Sequence, residues 1–138
     1  MCIRDRSGEP LAAQVQIRDR RGRVRPVRKT ASWNRQYVID GKAIISLNPG
    51  PYTFSVARGP EYLDYEGHFL IESTATDNTT IRLRRFTDLS KKGWWSADLA
   101  ISHSARDMDA WLRRADLHVA SVQSYSFDGS WQPKSKST

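Results

Sequence analysis

Apolar and polar residues alternate one by one through much of this chain. In the clearest segment, Tyr52, Phe54 and Val56 alternate with Thr53 and Ser55. Successive side chains of a β-strand point to opposite faces, so this period predicts strands with one buried and one wetted face. We therefore expect the three apolar residues to be buried and their two neighbours to be more exposed. The same pattern is found in residues 11–18, 68–72 and 79–86.

Turn residues separate the alternating segments. Asp40 and Gly41 stand between residues 36–39 and 42–47, which predicts a β-hairpin. Residues 48–51, of sequence NPGP, predict another tight turn. Several short strands at this spacing predict a mainly β chain whose first domain is an antiparallel β-sandwich of the immunoglobulin-like kind. The predicted core consists of Leu11, Val15, Ile17, Ile45, Leu47, Tyr52, Phe54, Val56, Phe69, Ile71, Ile81 and Leu83.

The pattern changes after residue 87. A polar connector, residues 88–93, leads to a predicted strand at 94–101, a helix at 107–114 and a second strand at 117–122. Met108 and Trp111 recur at helical spacing. These elements predict a single βαβ unit. Parallel sheets are buried on both faces, so we expect this unit to be the truncated beginning of a larger α/β domain. The predicted organisation is a sandwich at 7–87, a linker at 88–93, the α/β beginning at 94–131 and a polar tail at 132–138.

Composition places the chain among soluble globular proteins, with 38% hydrophobic and 27% charged residues. No apolar run approaches the roughly 18 residues of a membrane span, and no signal peptide is visible. The sequence therefore leaves the compartment open.

The net charge of +7 comes largely from a basic run between Arg18 and Lys29. Clustered guanidinium groups can bind phosphates, so Arg20, Arg21, Arg23 and Arg25 are candidate anion-binding residues. A solvated loop is the favoured alternative, because charge runs usually face solvent and no aromatic stacking residues are interleaved. We therefore do not expect nucleic acid to be a partner.

Several segments resemble known families. Residues 93–99 (GWWSADL) and 115–120 (ADLHVA) resemble the opening of the PHP-type domain of carbaryl-hydrolase-like (CehA/McbA) metallohydrolases. The turn motifs at 8–13, 40–41, 48–52 and 58–62 resemble the transthyretin-like or carboxypeptidase-regulatory-like sandwich that precedes many secreted hydrolase domains. Met1–Arg6 resembles translated sequencing adapter from metagenomic fragments, so these residues are left out of the predicted fold.

The resemblance implies a metal site whose ligands are largely replaced here. In the family an H-x-H motif ends the first strand, and the pleat sends both imidazoles to one side of the sheet, where they bind a divalent metal. This chain has Ala100 and Ser102 at those positions, and neither is a good ligand for such an ion. The second strand of such domains often ends in an Asp-His pair, where this chain has Ser124 and Tyr125. The remaining candidate ligands are Asp98, His103 and His118.

His103 and His118 both have alternative interpretations. In a regular strand His103 points away from the side that an H-x-H motif uses, unless a bulge intervenes. It also lies beside Ser104, although adjacent residues rarely form a nucleophile-base pair. His118 is more often a packed or edge histidine than a ligand. We therefore predict no catalytic residue and no cofactor for this chain, and a divalent metal only in the full-length parent.

Trp94 and Trp95 are predicted to form the interface between the sandwich and the α/β part, with ligand stacking as the alternative. The favoured function is a non-catalytic accessory module that positions or stabilises a hydrolase domain in the remainder of the same polypeptide. One alternative, implied only by resemblance, is a portion of an active metal-dependent phosphoester or carbamate hydrolase. Nucleic-acid binding through the basic run is a weaker alternative. The resemblance also implies export.

Overall fold

Strands dominate the part of the chain that the computed structural model describes, which is residues 1–73, 77–101, 108–122, 125–127 and 131–133. Within these residues there is one α-helix, so the predicted mainly β class is confirmed. The strands are β1 (Cys2–Arg4), β2 (Ala12–Asp19), β3 (Val24–Arg25), β4 (Ala31–Trp33), β5 (Gln36–Asp40), β6 (Gly50–Ala57), β7 (Tyr65–Ile71), β8 (Thr80–Arg82), β9 (Ala97–Ile101), β10 (Val119–Val122), β11 (Tyr125–Phe127) and β12 (Trp131–Pro133), and the helix is α1 (Met108–Ala115).

A six-stranded antiparallel sheet forms the centre of the fold. Its strand order is β4-β5-β2-β6-β7, and β3 also pairs with β2. Val15 lies opposite Val56 and Ile17 lies opposite Phe54. All four side chains are buried, whereas Thr53 is exposed and Ser55 is half-buried. The burial predicted from the alternating pattern is therefore confirmed.

A two-stranded parallel ladder, β1 with β8, contributes to the same core. Ile3 of β1 and Ile81 of β8 are register partners, and both are buried in one cluster with Val15 and Ile17 of the sheet. Ile3 was absent from the predicted core because residues 1–6 were left out, yet its side chain is fully buried. The buried cluster consists of Ile3, Ala13, Val15, Ile17, Val27, Ile39, Tyr52, Phe54, Val56, Tyr62, Ile81 and Leu83, while Leu11, Ile45, Leu47, Phe69 and Ile71 of the predicted core are partly buried against it.

Aromatic side chains link β6 and β7 across the sheet. The rings of Tyr52 and Phe69 stack with centroids 5.5 Å apart, and Phe54 lies 5.6 Å from Phe69. Phe54 pairs with Gly67, and a Cβ at Gly67 would come within 2.7 Å of the Phe54 ring. Gly67 therefore provides the space that this ring occupies.

The predicted hairpin at Asp40 and Gly41 is wrong. Gly41 has the left-handed φ of 70° that the motif favours, but residues 43–48 form no strand, and Lys42 makes only an isolated bridge to Cys2. The reason is that β5 has β4 on one side and β2 on the other, so neither side is open to the following segment. The chain crosses instead towards β1.

Helix α1 lies against β2 and β5 on the face opposite the main core. Ala12 and Val38 are buried on that face. Each is adjacent in its strand to a residue that faces the main core, and successive side chains of a strand point to opposite faces. Met108 and Trp111 are the buried residues of the helix. Arg114 donates a hydrogen bond to Gln14 at 2.8 Å. The structure thus has a helix on one side of the sheet and the β1–β8 ladder on the other.

Strands β9 and β10 pair in parallel, as predicted, with α1 between them along the chain. The first of them begins at Ala97, three residues later than expected. Gln132 and Pro133, assigned from the sequence to a polar tail, belong to β12, which pairs with β11. In the ranges that the structure describes, no helix has the length and apolar character needed to cross a bilayer.

Candidate functional site

Two of the three predicted ligand candidates lie at the β9–β10 ladder, Asp98 within β9 and His118 immediately before β10. Asp98 pairs with Ala120, which is two residues after His118 in the chain. The side chains of Asp98 and His118 are both exposed. The register then shifts, so that Ile101 pairs with Val122. Such a bulge is the irregularity that would turn His103, but His103, Ser102 and Ser124 lie outside the described residues, as do the side chains of Ala100 and Tyr125.

The ladder brings Ser96 and His118 together, a pair that the sequence analysis did not consider. The hydroxyl of Ser96 lies 2.8 Å from Nδ1 of His118 and donates to the carbonyl oxygen of Asp116 at 2.6 Å. A carbonyl only accepts, so the hydroxyl proton goes to Asp116. The backbone N–H of Ser96 also lies 3.4 Å from the same Nδ1, so Ser96 orients the His118 ring through two of its atoms.

The His118 ring also has an aromatic neighbour. The Trp95 ring contacts the imidazole edge-on, with centroids 4.9 Å apart. An oriented imidazole can accept a hydrogen bond or bind a metal, but a zinc site needs three or four protein ligands. Among the described residues, no group of three or more His, Cys, Asp or Glu side chains is arranged to hold a metal ion.

Arg58 joins three separate segments of the fold. It follows β6 and is only 9% exposed. One terminal nitrogen donates to the carbonyl oxygens of Ala12, at 2.5 Å, and Arg113, at 2.6 Å, and the other binds a carboxylate oxygen of Asp116 at 2.7 Å. The guanidinium group thus ties β2 and β6 to the C-terminal end of α1.

A second guanidinium group completes this cluster. Arg85 binds Glu61 through Nε, at 2.9 Å, and a terminal nitrogen, at 2.5 Å, and reaches the second carboxylate oxygen of Asp116 at 3.2 Å. Partial burial acts to lower the pKa of Arg85, but the hydrogen bond to Glu61 and the charge of Asp116 outweigh it and raise that pKa. The Tyr62 ring lies under both cations, 5.2 Å from Arg58 and 5.5 Å from Arg85. We call Arg58, Glu61, Arg85 and Asp116 the junction cluster.

The junction cluster surrounds the end of helix α1. Asp116 follows the helix in a left-handed conformation, with φ of 56°, which non-glycine residues rarely adopt. Gly59, adjacent to Arg58, donates its N–H to the carbonyl oxygen of Arg114 at 3.1 Å. Its own φ is 44°, so the backbones of the two parts meet where a side chain would not fit. Close backbone contact and buried ion pairs therefore coincide here.

Trp94 and Trp95 do not form this junction. They are 70% and 67% exposed, whereas the interface predicted for them required burial. The two parts contact instead through Trp111 and Met108 of α1 and through the junction cluster. Physically, the helix supplies the apolar contact because it covers the outer face of β2 and β5. The two tryptophan rings line an open, mostly apolar cavity of about 310 Å³ together with Pro60, Glu61, Leu89 and Ser96.

The basic run forms the turn between β2 and β3. Asp19 accepts backbone hydrogen bonds from Arg21 and Arg23, both at 2.9 Å, and binds Arg25 at 2.8 Å and Arg23 at 3.3 Å through their guanidinium groups. These contacts, led by the backbone hydrogen bond from Arg23, lower the pKa of Asp19. Of the four candidate anion-binding arginines, Arg20, Arg21 and Arg23 are exposed and Arg25 is half-buried. The turn therefore neutralises part of its own charge.

No family model, curated protein or solved structure matches this chain. A functional assignment therefore rests on the geometry of the chain itself. The sequence analysis missed the junction cluster, because its four charged residues are scattered between positions 58 and 116 and share no local motif. No local signal in the sequence indicates it, because a charged residue near the end of a strand is usually solvated.

Proposed function

We propose that this chain is a non-catalytic accessory module that holds the β9-α1-β10 segment at a fixed position on its sheet and so positions an attached hydrolase-like domain. The junction cluster is the observation that carries the proposal. Its two cations and two anions lie largely away from water, and Arg85 also pairs with Asp88 at 3.4 Å. Removing one member of a buried ion network typically costs about 3–5 kcal/mol, so the cluster strongly favours one arrangement of the two parts.

Exposed apolar surface on β9 and β10 supports the positioning role. Leu99 is 67% exposed and Val119 is 54% exposed, on strands that pair in parallel. Parallel strands are ordinarily covered on both faces, so this surface is suited to contact further strands and helices. Trp94 and Trp95, just before β9, are exposed as well. We propose that the covering partner is the hydrolase-like remainder of the same polypeptide, with a divalent metal bound there.

One experiment tests whether the chain is catalytic. The purified 138-residue chain is incubated with excess zinc or manganese and a generic phosphodiester, bis(4-nitrophenyl) phosphate, and metal retention after dialysis is measured in parallel. We expect no stoichiometric metal and no hydrolysis above the metal-only rate. Metal-dependent turnover that disappears in His118→Ala would contradict the accessory role and favour the alternative of an active metal-dependent hydrolase.

A second experiment tests the positioning role directly. In Arg58→Met the ion pair with Asp116 and two hydrogen bonds to backbone carbonyls are lost. Amide hydrogen exchange should accelerate roughly hundredfold in residues 108–122, from a local loss of about 3 kcal/mol, while β2 and β6 stay protected. Arg84→Met is the matched control, since Arg84 is exposed and next to the cluster in sequence. Equal exchange in the two variants would show that Arg58 does not hold this segment.

A further inference from the structure

The outer edge of β7 is unpaired in the described structure. β7 is the last strand in the order of the six-stranded sheet, and no described residue hydrogen bonds to its far side. It is seven residues long and contains neither proline nor lysine, the residues that commonly block edge pairing. The opposite edge strand, β4, has only three residues. β7 is therefore the edge that offers the longer template for another strand.

The position of Pro51 fixes which groups point outward. Pro51 lies opposite Leu70 and has no N–H, so this pair is a non-hydrogen-bonded pair of the β6–β7 ladder. Such pairs alternate along an antiparallel ladder, so His68 and Glu66 occupy the same kind of position as Leu70. The N–H and C=O groups of these three residues therefore point away from β6, towards the open edge.

The side chains of β7 divide between the two faces of the sheet. Tyr65 and Phe69 lie on the core-facing side, where Tyr65 stacks on Phe54 with centroids 6.0 Å apart. Glu66 and His68 lie on the other side and are exposed. The edge thus carries two aromatic rings on one face, and an acid and an imidazole two residues apart on the other.

We propose that β7 is a self-association edge, which pairs antiparallel with β7 of a second copy of this chain about a two-fold axis at Gly67. In this register Glu66 lies opposite the partner's His68, and Tyr65 lies opposite the partner's Phe69. Opposite charges and aromatic pairs both stabilise facing positions of antiparallel strands. A register centred on His68 would instead place the two imidazoles opposite each other and Glu66 opposite an apolar residue.

The hydrogen bonding of this register is consistent with the open edge. Glu66 and His68 both point their backbone groups outward, so each exchanges N–H···O=C bonds with its counterpart across the axis. Gly67 at the axis forms a non-hydrogen-bonded pair with its counterpart. Side chains approach most closely in such pairs, and glycine has no side chain that could clash there. The two sheets would join into one continuous sheet, and the interface is independent of the junction cluster and of the proposed accessory role.

Sedimentation velocity over a wide range of protein concentration tests the association. The unaltered chain should shift from monomer to dimer as its concentration rises. His68→Pro removes an outward N–H without affecting the β6 ladder and should weaken the dimer at least tenfold, whereas His68→Ala keeps that N–H and should weaken it less. A monomer at every concentration, or a dimer unaffected by His68→Pro, would overturn the proposal.

Charge reversal tests the register and does not depend on proline being tolerated. Glu66→Lys removes the carboxylate that faces the imidazole of the partner's His68 and places a cation there, so it should weaken the dimer severalfold. The double variant Glu66→Lys with His68→Glu restores opposite charges and should recover the original affinity. Failure of the double variant to recover it, with circular dichroism unchanged, would rule out this register.

Discussion

Replacing Gly59 by alanine should separate helix α1 from the sheet. A Cβ at this position would lie 2.6 Å from the carbonyl oxygen of Ala115 and 2.8 Å from Cβ of Asp116. Neither atom belongs to the end of a flexible side chain, so the backbones must move apart. The hydrogen bond from Gly59 to Arg114 is then lost, and the ion pairs of Asp116 with its guanidinium partners are lengthened.

The expected loss can be divided into a conformational part and a contact part. Alanine at the left-handed φ of 44° costs about 1–2 kcal/mol. Losing the hydrogen bond to Arg114 adds about 0.5–1.5 kcal/mol, and a weakened junction cluster adds to that. Gly22→Ala isolates the first part, because Gly22 has φ of 73° with no heavy atom within 4 Å of the added Cβ. Gly59→Ala should therefore lower the free energy of unfolding by about 1–2 kcal/mol more than Gly22→Ala does.

Urea unfolding followed by tryptophan fluorescence would give both free energies of unfolding. In Gly59→Ala, amide hydrogen exchange should accelerate mainly in residues 108–122, which contain α1 and β10, because the additional loss of stability is expected there. Losses that agree within about 0.5 kcal/mol, the usual error of such comparisons, would refute the claim that backbone contact at Gly59 matters.

Three further changes test other features of the fold. Ile3→Ala should lower the free energy of unfolding by about 2–4 kcal/mol, because its side chain is fully buried, whereas Ile44→Ala, at 86% exposure, should change it by less than about 0.5 kcal/mol; thermal unfolding of both variants compares them. Gly67→Ala should displace the Phe54 ring and change the near-ultraviolet circular dichroism, and an unaltered spectrum would show that the ring does not rest on this glycine. The pKa of Asp88 is lowered to about 2, mainly by a hydrogen bond from the serine hydroxyl two residues later. A depressed folded-state pKa stabilises the fold above the unfolded value near 4, and that contribution disappears as the pH falls towards 2, so the Asn variant should show a smaller loss of stability across this range in acid unfolding curves.

The strands of the sheet could be predicted from the sequence, because alternation directly reports which side chains face a core. Tyr52, Phe54 and Val56 were assigned correctly for that reason. Pairing was harder to predict. The Asp40-Gly41 motif indicates a turn, but it carries no information about whether β5 still has an open side. That depends on β4, which directly precedes β5, and on the more distant β2.

The junction cluster could not be predicted for a different reason. Arg58 and Asp116 are far apart in sequence, and a charged residue near a strand end is usually solvated. Their pairing follows from the docking of α1 on β2 and β5, a tertiary event that periodicity does not encode. The burial predicted for Trp94 and Trp95 was wrong for a related reason. The size of a tryptophan side chain favours burial, but it does not identify which surface of the protein will cover the ring.

The parallel ladder between β1 and β8 has a consequence for the order of folding. Cys2, Ile3 and Arg4 pair with residues 80–82, so this ladder cannot form until β8 has left the ribosome. Contacts between distant segments form slowly, because the intervening chain must first lose conformational freedom. Until β8 emerges, the apolar face of the sheet beneath Ile3 and Ile81 lacks its cover. We therefore expect nascent chains that end before residue 80 to be the species most prone to aggregate, and the closing of this ladder to be a late step in folding.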